Sequence, residues 1–192
     1  MELIGLIGHQ GVGKNYIAEN ILPSILPNKN TVILAFADHF KIDCITKYNA
    51  NFDKVYGQKD YETRKLLQIT GTENGREKFG ENIWIETIEN WIKILHIRGV
   101  KRFIICDVRF ENEAKWILSK NGKLIKIEAP KRYNDRLIQE TCNNKELIET
   151  IKNHPSERYI DSIDIQHLTI YNDPGQNIVD DLVSFFFRPM KI

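Results

Sequence analysis

The run Gly8-His9-Gln10-Gly11-Val12-Gly13-Lys14-Asn15 follows directly on the apolar start Leu3-Ile4-Gly5-Leu6-Ile7. No other feature of the chain narrows the choice of fold as far. Its G-x-x-x-x-G-K spacing is that of a phosphate-binding loop, with Asn15 where Ser or Thr is usual. Glycines let consecutive backbone N–H groups curl round an anion, and the following helix adds the positive end of its dipole. Lys14 supplies a point charge for the β- and γ-phosphates of a nucleotide. A glycine-rich turn with a surface lysine would show the same letters, so the flanks decide. Leu3, Ile4, Leu6 and Ile7 read as a buried parallel strand. Ile17, Ile21 and Ile25, with Ala18 and Leu22, recur at helical spacing until Pro23 and Pro27. Strand, loop and helix in that order predict binding of ATP or GTP by Gly8, Gly11, Val12, Gly13, Lys14, Asn15 and Tyr16.

A chain of 192 residues with 42% hydrophobic content suits a single domain, 1–192, with a sizeable core. The formal net charge of +1 gives no sign of a surface for coating polynucleotides. Cys44, Cys106 and Cys142 form no C-x-x-C pair, which argues for a reducing compartment and against a disulfide framework or zinc site. Glu2 stands where a secretory leader carries basic residues, and no apolar run reaches the ~18 residues of a membrane span. A cytoplasmic setting without a membrane is expected. The tail Val183-Ser184-Phe185-Phe186-Phe187 continues a helical stripe from Ile178, Val179 and Leu182, which predicts core packing rather than a membrane foot.

Strand-like and helical runs alternate along the remainder. Further strands are expected at 31–36, 102–107, 123–127 and 168–171. Helices are expected at about 61–68, at about 82–98 with Trp84, Ile88, Trp91 and Leu95 facing the core, around 114–118, and at 176–187. A polar, helix-prone insertion runs from about 131 to 153. The alternation predicts an α/β fold, a parallel sheet covered on both faces through right-handed crossovers. Ligands of such sheets sit at the carboxyl ends of strands. The Gly8–Lys14 loop, Asp38, Asp107 with Arg109, and Asn172 with Asp173 all follow strand ends.

Asp107 closes an apolar strand, the position of an acidic residue that holds Mg²⁺ or its water in phosphate-loop enzymes. Its alternative is a helix N-cap, since Glu111 and Ala114 begin a helix nearby. Asn15 offers a neutral oxygen one bond longer than a hydroxyl; either it reaches the metal or Asp107 and waters carry it. Arg109 can bridge phosphates with its planar fork. Asp38 reads as a base for a hydroxyl acceptor, a partner for an acceptor's sugar or base, or an N-cap. Arg64 and Gln68 share a helical face and lead into Thr70-Gly71-Thr72-Glu73-Asn74-Gly75-Arg76, a glycine-rich turn by composition. Arg64 and Arg76 then clamp an acceptor phosphate or are simply solvated. Lys131-Arg132-Tyr133-Asn134-Asp135-Arg136 opens the insertion, where a lid would bring positive charge over transferring phosphates and exclude water. His154 reads as a surface histidine, beside Ser156 as a helix N-cap, sooner than as a base.

Assembled, these pieces resemble the deoxynucleoside monophosphate kinases encoded by phages and large DNA viruses. The matching residues are Gly8–Lys14, Phe36-Ala37-Asp38, Arg64 with Leu66-Leu67-Gln68, and Gly71-Thr72-Glu73-Asn74-Gly75-Arg76. Gly80 and Trp84, Asp107-Val108-Arg109-Phe110-Glu111-Asn112-Glu113, His154-Pro155-Ser156-Glu157 and Ile170-Tyr171-Asn172-Asp173 complete them. The resemblance implies a P-loop kinase fold with a five-stranded parallel sheet in the order 2-3-1-4-5 and a lid-like insertion at about 130–156. It implies Mg²⁺-dependent transfer from ATP to a dNMP, often in a homodimer whose only other partners are nucleotides. The catalytic set would be Lys14, Arg109, Arg132 and Arg136. The acceptor would meet Asp38, Lys41, Arg64, Gln68, Glu73, Arg76, Trp84 and Arg109, and Asn172 with Asp173 would border the adenine of ATP. Asn15-Tyr16 depart from the Asp-Thr or Ser/Thr common in that family.

A phosphate acceptor also suits the residues themselves. Its attacking oxygen is anionic near neutral pH, so the site needs cations to offset repulsion rather than a general base. Arg64, Arg76, Arg109, Arg132 and Arg136 are candidates for that work. Two other readings stand beside it. One is a related kinase for another small acceptor, such as phosphomevalonate or a nucleoside, with Asp38 as base. The other is an inactive nucleotide-binding module, favoured by Asn15.

Overall fold

The computed structural model describes residues 1–26, 29–57 and 59–187. Its five parallel strands are β1 (Glu2–Ile7), β2 (Thr31–Leu34), β3 (Arg102–Val108), β4 (Lys123–Glu128) and β5 (Leu168–Tyr171). They form one sheet in the order β2-β3-β1-β4-β5. Glu2 pairs with Arg102, Ile4 with Lys123 and Ile125 with Leu168, so all five run with their carboxyl ends toward one edge. β1 and β3 are buried along nearly their whole length because helices cover both faces, which is why they read as continuous apolar runs. Leu3, Phe103, Ile105 and Leu124 point into one core with Trp84, Ile88 and Ile117. Ile4, Leu6, Ile104 and Ile125 point into the other with Ile17, Leu22 and Leu182.

The helix behind the loop runs as α1 (Lys14–Tyr16), a π-helical stretch (Ile17–Ile21) and α2 (Leu22–Ile25). The widened turn lies just ahead of Pro23, which has no N–H to give the carbonyl four residues back. Pro27 lies outside the described residues. β2 stops at Leu34, short of the expected 36, because the next N–H groups turn to carboxylates: Ala35 donates to Asp38 and Phe36 to Asp107. The helices α3 (Asp38–Tyr48) and α4 (Phe52–Tyr56) follow. Asp60 caps α5 (Tyr61–Gly71), accepting the Thr63 N–H at 2.9 Å.

Where a glycine-rich turn is expected after α5, the chain stays helical as a π stretch, Thr72–Glu77. The glycines serve close packing instead. A Cβ on Gly71 would lie 2.8 Å from the Phe40 ring, and one on Gly75 only 2.3 Å from Trp84. In α6 (Ile83–Ile97) the buried face is Trp84, Ile85, Ile88 and Ile92, while Trp91 is 49% exposed. The expected face holds at Trp84 and Ile88 and at Leu95, which packs on the same core; only Trp91 gives its place to Ile92, since both fit a helical repeat on paper. α7 (Glu111–Ser119) begins at Glu111, as expected, and Glu113 accepts the N–H groups of Arg109 and Phe110 and closes its first turn.

The insertion folds as α8 (Pro130–Thr141), α9 (Lys145–Asn153) and the single turn α10 (Pro155–Arg158). Its first two helices part at Cys142 and Asn143, both left-handed, with φ of 51° and 61°. In α11 (Ile178–Phe187) Ile178 and Leu182 are buried and Phe185 and Phe186 pack on the core, whereas Val179 and Val183 face outward. No helix among the described residues is long and apolar enough to cross a membrane.

Candidate active site

The loop after β1 carries left-handed glycines at Gly11 (φ +78°) and Gly13 (φ +97°), and a Cβ on Gly13 would stand 2.3 Å from Asn172 Nδ2. Among the described residues no acceptor takes the N–H groups of Gly11, Val12 or Gly13, which leaves them for an anion. Lys14 is buried, and its ammonium donates to the carbonyls of Gly8 at 2.6 Å and His9 at 2.5 Å. Burial, followed by the nearby Arg109 cation, pushes it down to about 7. Gln10 lines the same cleft, is only 4% exposed, and has no partner for either amide atom among the described residues. A buried amide of that kind is normally completed by a ligand or water.

A cavity of about 390 Å³ opens in front of this loop at the carboxyl ends of β1, β2 and β3. Lys41, Arg64, Gln68, Arg76 and Trp84 line it, as do Asp107, Arg109 and Arg136. Asp107 takes the N–H groups of Phe36 and Ala37 on its two oxygens, at 2.8 and 3.0 Å, and so ties the end of β2 to β3. Burial raises its carboxyl pKa, with Lys41, those N–H groups and Arg109 acting the other way. It does not cap α7, whose N-cap is Phe110. Among the described residues no three His, Cys, Asp or Glu side chains cluster as a metal cage. A Mg²⁺ bound through one carboxylate, Asn15, phosphate oxygens and water is the arrangement this donor set fits.

Arg109 forms an ion pair with Glu157 and donates to the Ser156 carbonyl at 3.2 Å. Glu157 is 1% exposed and also meets His9 Nδ1 at 3.1 Å and the Gln10 N–H at 3.5 Å. Burial alone would raise its carboxyl; Arg109, His9 and Lys14 outweigh that and hold it at about 2. His9 stacks on Tyr133 of α8 at 4.5 Å and reaches Asp161 at 2.8 Å. Burial would lower its imidazole, but Glu157 and Asp161 leave it raised. His154 caps α10, accepting the Ser156 N–H, and is no base for this cleft. Neither Glu157 nor His9 was among the candidate residues, although both stand in the matching segments.

Arg76 is buried, pairs with Glu113 at 2.5 Å and lies 3.7 Å over the Phe110 ring. Trp84 donates its indole N–H to the Gly71 carbonyl at 2.7 Å, so it builds the cleft wall as much as it faces a ligand. Arg64 makes a two-point pair with Glu140 of α8, at 2.8 and 2.7 Å. Arg136 gives its Nε to the same carboxylate at 2.8 Å. Lys59 also faces the cleft, and neither it nor Glu140 was expected there.

Several expected residues lie outside the cleft lining. Asp38 accepts the Ala35 N–H at 2.9 Å and pairs with Lys41 at 3.1 Å; it braces the strand-to-helix turn rather than facing a ligand or capping α3. Glu73 is exposed, with its carboxylate 4.0 Å from His154, because the chain there is helix and not turn. Arg132 is exposed, and one turn of α8 separates it from the inward-facing Arg136. Gly8 and Val12 pack beneath the loop: a Cβ on Gly8 would be 2.4 Å from the Ile127 carbonyl, and Val12 is 1% exposed. Asn172 props that loop through the Val12 carbonyl at 2.8 Å, and Asp173 accepts the N–H groups of Lys131 and Arg132. Both hold the scaffold where an adenine border was implied.

A parallel sheet in the order 2-3-1-4-5 with a glycine loop between its first strand and helix is the P-loop kinase fold. A crystal structure of an unliganded sugar kinase from Janibacter sp. HTCC2649 superposes over 96% of this chain and 94% of that one, with a TM-score of 0.53 and 11% identity. Shikimate kinase from Aquifex aeolicus matches less well, with a TM-score of 0.42 and 12% identity over 95% and 91% of the two chains. No protein-family model matches. In sequence the chain is similar to the "Putative deoxynucleotide monophosphate kinase" of Acanthamoeba polyphaga mimivirus, 28% identical across 90% of this chain and 89% of the relative.

Proposed function

We propose that this protein transfers the γ-phosphoryl group of ATP to the phosphate of a deoxynucleoside monophosphate, with Mg²⁺. The observation that carries the reading is the balance of the cleft. Lys14, Lys41, Arg64, Arg109 and Arg136 face it, while Asp38, the candidate base, is turned to the backbone. An acceptor that brings its own anionic oxygen needs such cations and no base. In this reading the free N–H groups of the loop and Lys14 take the triphosphate, and Arg109, steadied by Glu157, faces the transferring group. Mg²⁺ bound by Asp107 and Asn15 would neutralise phosphate charge. The name of the mimivirus relative supports the same acceptor class. Nucleotides are then the partners, and a cytoplasmic setting suits them.

The test is ADP release measured with ATP and each of the four dNMPs, beside the four matching nucleosides. Release with at least one monophosphate and none with nucleosides is expected. Turnover with a nucleoside, or none with any monophosphate despite ATP binding, would sink the proposal.

A further inference from the structure

The Arg64–Glu140–Arg136 triad joins the core to the insertion in a way that the chemistry of Arg109 and Lys14 does not require. Glu140 does not line the cleft, whereas both of its arginine partners do. It grips Arg64 by the Nε–Nη2 edge and Arg136 by Nε alone. Among the described residues that leaves Arg64 Nη1 and both Nη groups of Arg136 as donors without a carboxylate partner. A guanidinium has five N–H donors in a fixed fork, so anchoring one edge aims the other. The Arg136 stem also packs where a Cβ on Gly11 would be, 2.5 Å away, which sets this pair of forks directly beside the phosphate-binding loop.

We infer that Glu140 is a positioning residue that yokes Arg64 and Arg136 into one receptor for a phosphate dianion, the phosphomonoester end of the acceptor. Lys59 lines the same cavity as both arginines. Its ammonium is lowered to about 8, by burial first and then by Lys41, Arg64 and Arg136, with Glu140 acting against them. Lys41 already has Asp38. Three cations, Lys59, Arg64 and Arg136, therefore face one carboxylate, and the net +2 matches a dianionic monoester. A neutral hydroxyl acceptor would leave that charge uncompensated. Because Glu140 and Arg136 ride on α8 while Arg64 belongs to α5, the receptor exists only when insertion and core are docked. For what carries the phosphate, this assignment rests on the kinase reading; for the phosphate itself it does not.

The experiment is calorimetric binding of dTMP and of inorganic phosphate to the wild type, Glu140→Gln and Glu140→Ala, with the loop filled by a non-hydrolysable ATP analogue. Affinity for that analogue is measured in parallel. The expected result is that both variants weaken dTMP and phosphate by about tenfold, the order for losing one aimed charge-assisted contact, and leave the analogue's affinity unchanged. Unchanged or tighter dTMP and phosphate binding would overturn the assignment, since Glu140 would then be idle or a competitor of the phosphate. An equal loss for all three ligands would overturn it too, by making Glu140 a prop of the whole fold. Should the alanine variant not fold, the isosteric glutamine variant decides. A protein that releases no ADP with any dNMP, yet loses phosphate affinity on Glu140→Gln, would refute the kinase reading and keep the receptor.

Discussion

Glu157→Gln tests the electrostatic centre of the molecule without opening a cavity, because the two side chains have the same shape. The carboxyl falls from an ordinary 4.5 to about 2 in the folded protein. At ~1.36 kcal/mol per pKa unit, that difference is roughly 3 kcal/mol of stability carried by the charged form. The figure agrees with the ~3–5 kcal/mol that breaking a buried pair costs when one charge is left behind, here Arg109. The sign follows from proton counting. Between pH 4.5 and 2 the unfolded chain binds the extra proton, so the stabilisation is complete above 4.5 and disappears as pH falls through 2. For a chain of this size ~1 kcal/mol shifts Tm by roughly 2–4 °C, so the variant should melt about 6–12 °C lower at pH 7. Thermal unfolding followed by circular dichroism from pH 7 to pH 2.5 is the assay. The gap between wild type and variant should persist down to pH 5 and then close. A gap under about 2 °C at pH 7, or one as wide at pH 2.5 as at pH 7, would refute the reasoning.

Lys14→Met should lower ADP release more than tenfold, because it removes the charge aimed at the transferring phosphates. With a folded value of about 7 against 10.5, the wild type should also gain stability as pH rises through that window, and the methionine variant should lack this slope in urea titrations. Gly75→Ala should lower the urea midpoint by an amount worth ~1–3 kcal/mol at unchanged m, since its methyl would meet the Trp84 ring at 2.3 Å. Chelation by EDTA should stop turnover yet move Tm of the nucleotide-free protein by less than ~1 °C, there being no all-protein metal cage among the described residues. Iodoacetamide at pH 8 should label exposed Cys142 before the buried thiols, of which Cys106 is pushed up to about 12 by burial and by Asp107; peptide mass spectrometry reads the order.

Periodicity was enough to place the layers. β1 and β3 are buried on both faces and therefore announce themselves as apolar runs, and Gly8–Lys14 marks where the first one ends. Failures came where one residue type serves two purposes. Gly71 and Gly75 look like turn residues, but they are small because Phe40 and Trp84 lie on top of them. Trp91 and Ile92 are interchangeable in a helical repeat, and it is Ile92 that enters the core while Trp91 stays half-exposed. Asp38 looks like a free carboxylate at a strand end, yet the unpaired N–H of Ala35 claims it first.

Charge shows the same limit more sharply, because a list of arginines says nothing of the carboxylates that fold against them. Arg109 meets Glu157 48 residues away, Arg76 meets Glu113 across 37, and Arg64 meets Glu140 across 76. No local pattern carries those pairings. Once they are subtracted, the five arginines proposed from the sequence shrink to a smaller working set. Arg76 is spent on Glu113 and Phe110, Arg132 faces solvent, and Arg109 is balanced by Glu157. Uncompensated positive charge remains in two places: at Lys14, which has no carboxylate within ion-pair distance among the described residues, and at Arg64, Arg136 and Lys59 around their single glutamate. Both border one cavity. Two anion-seeking centres side by side, joined by an arginine pinned between loop and insertion, are what the proposed transfer between two phosphates would use.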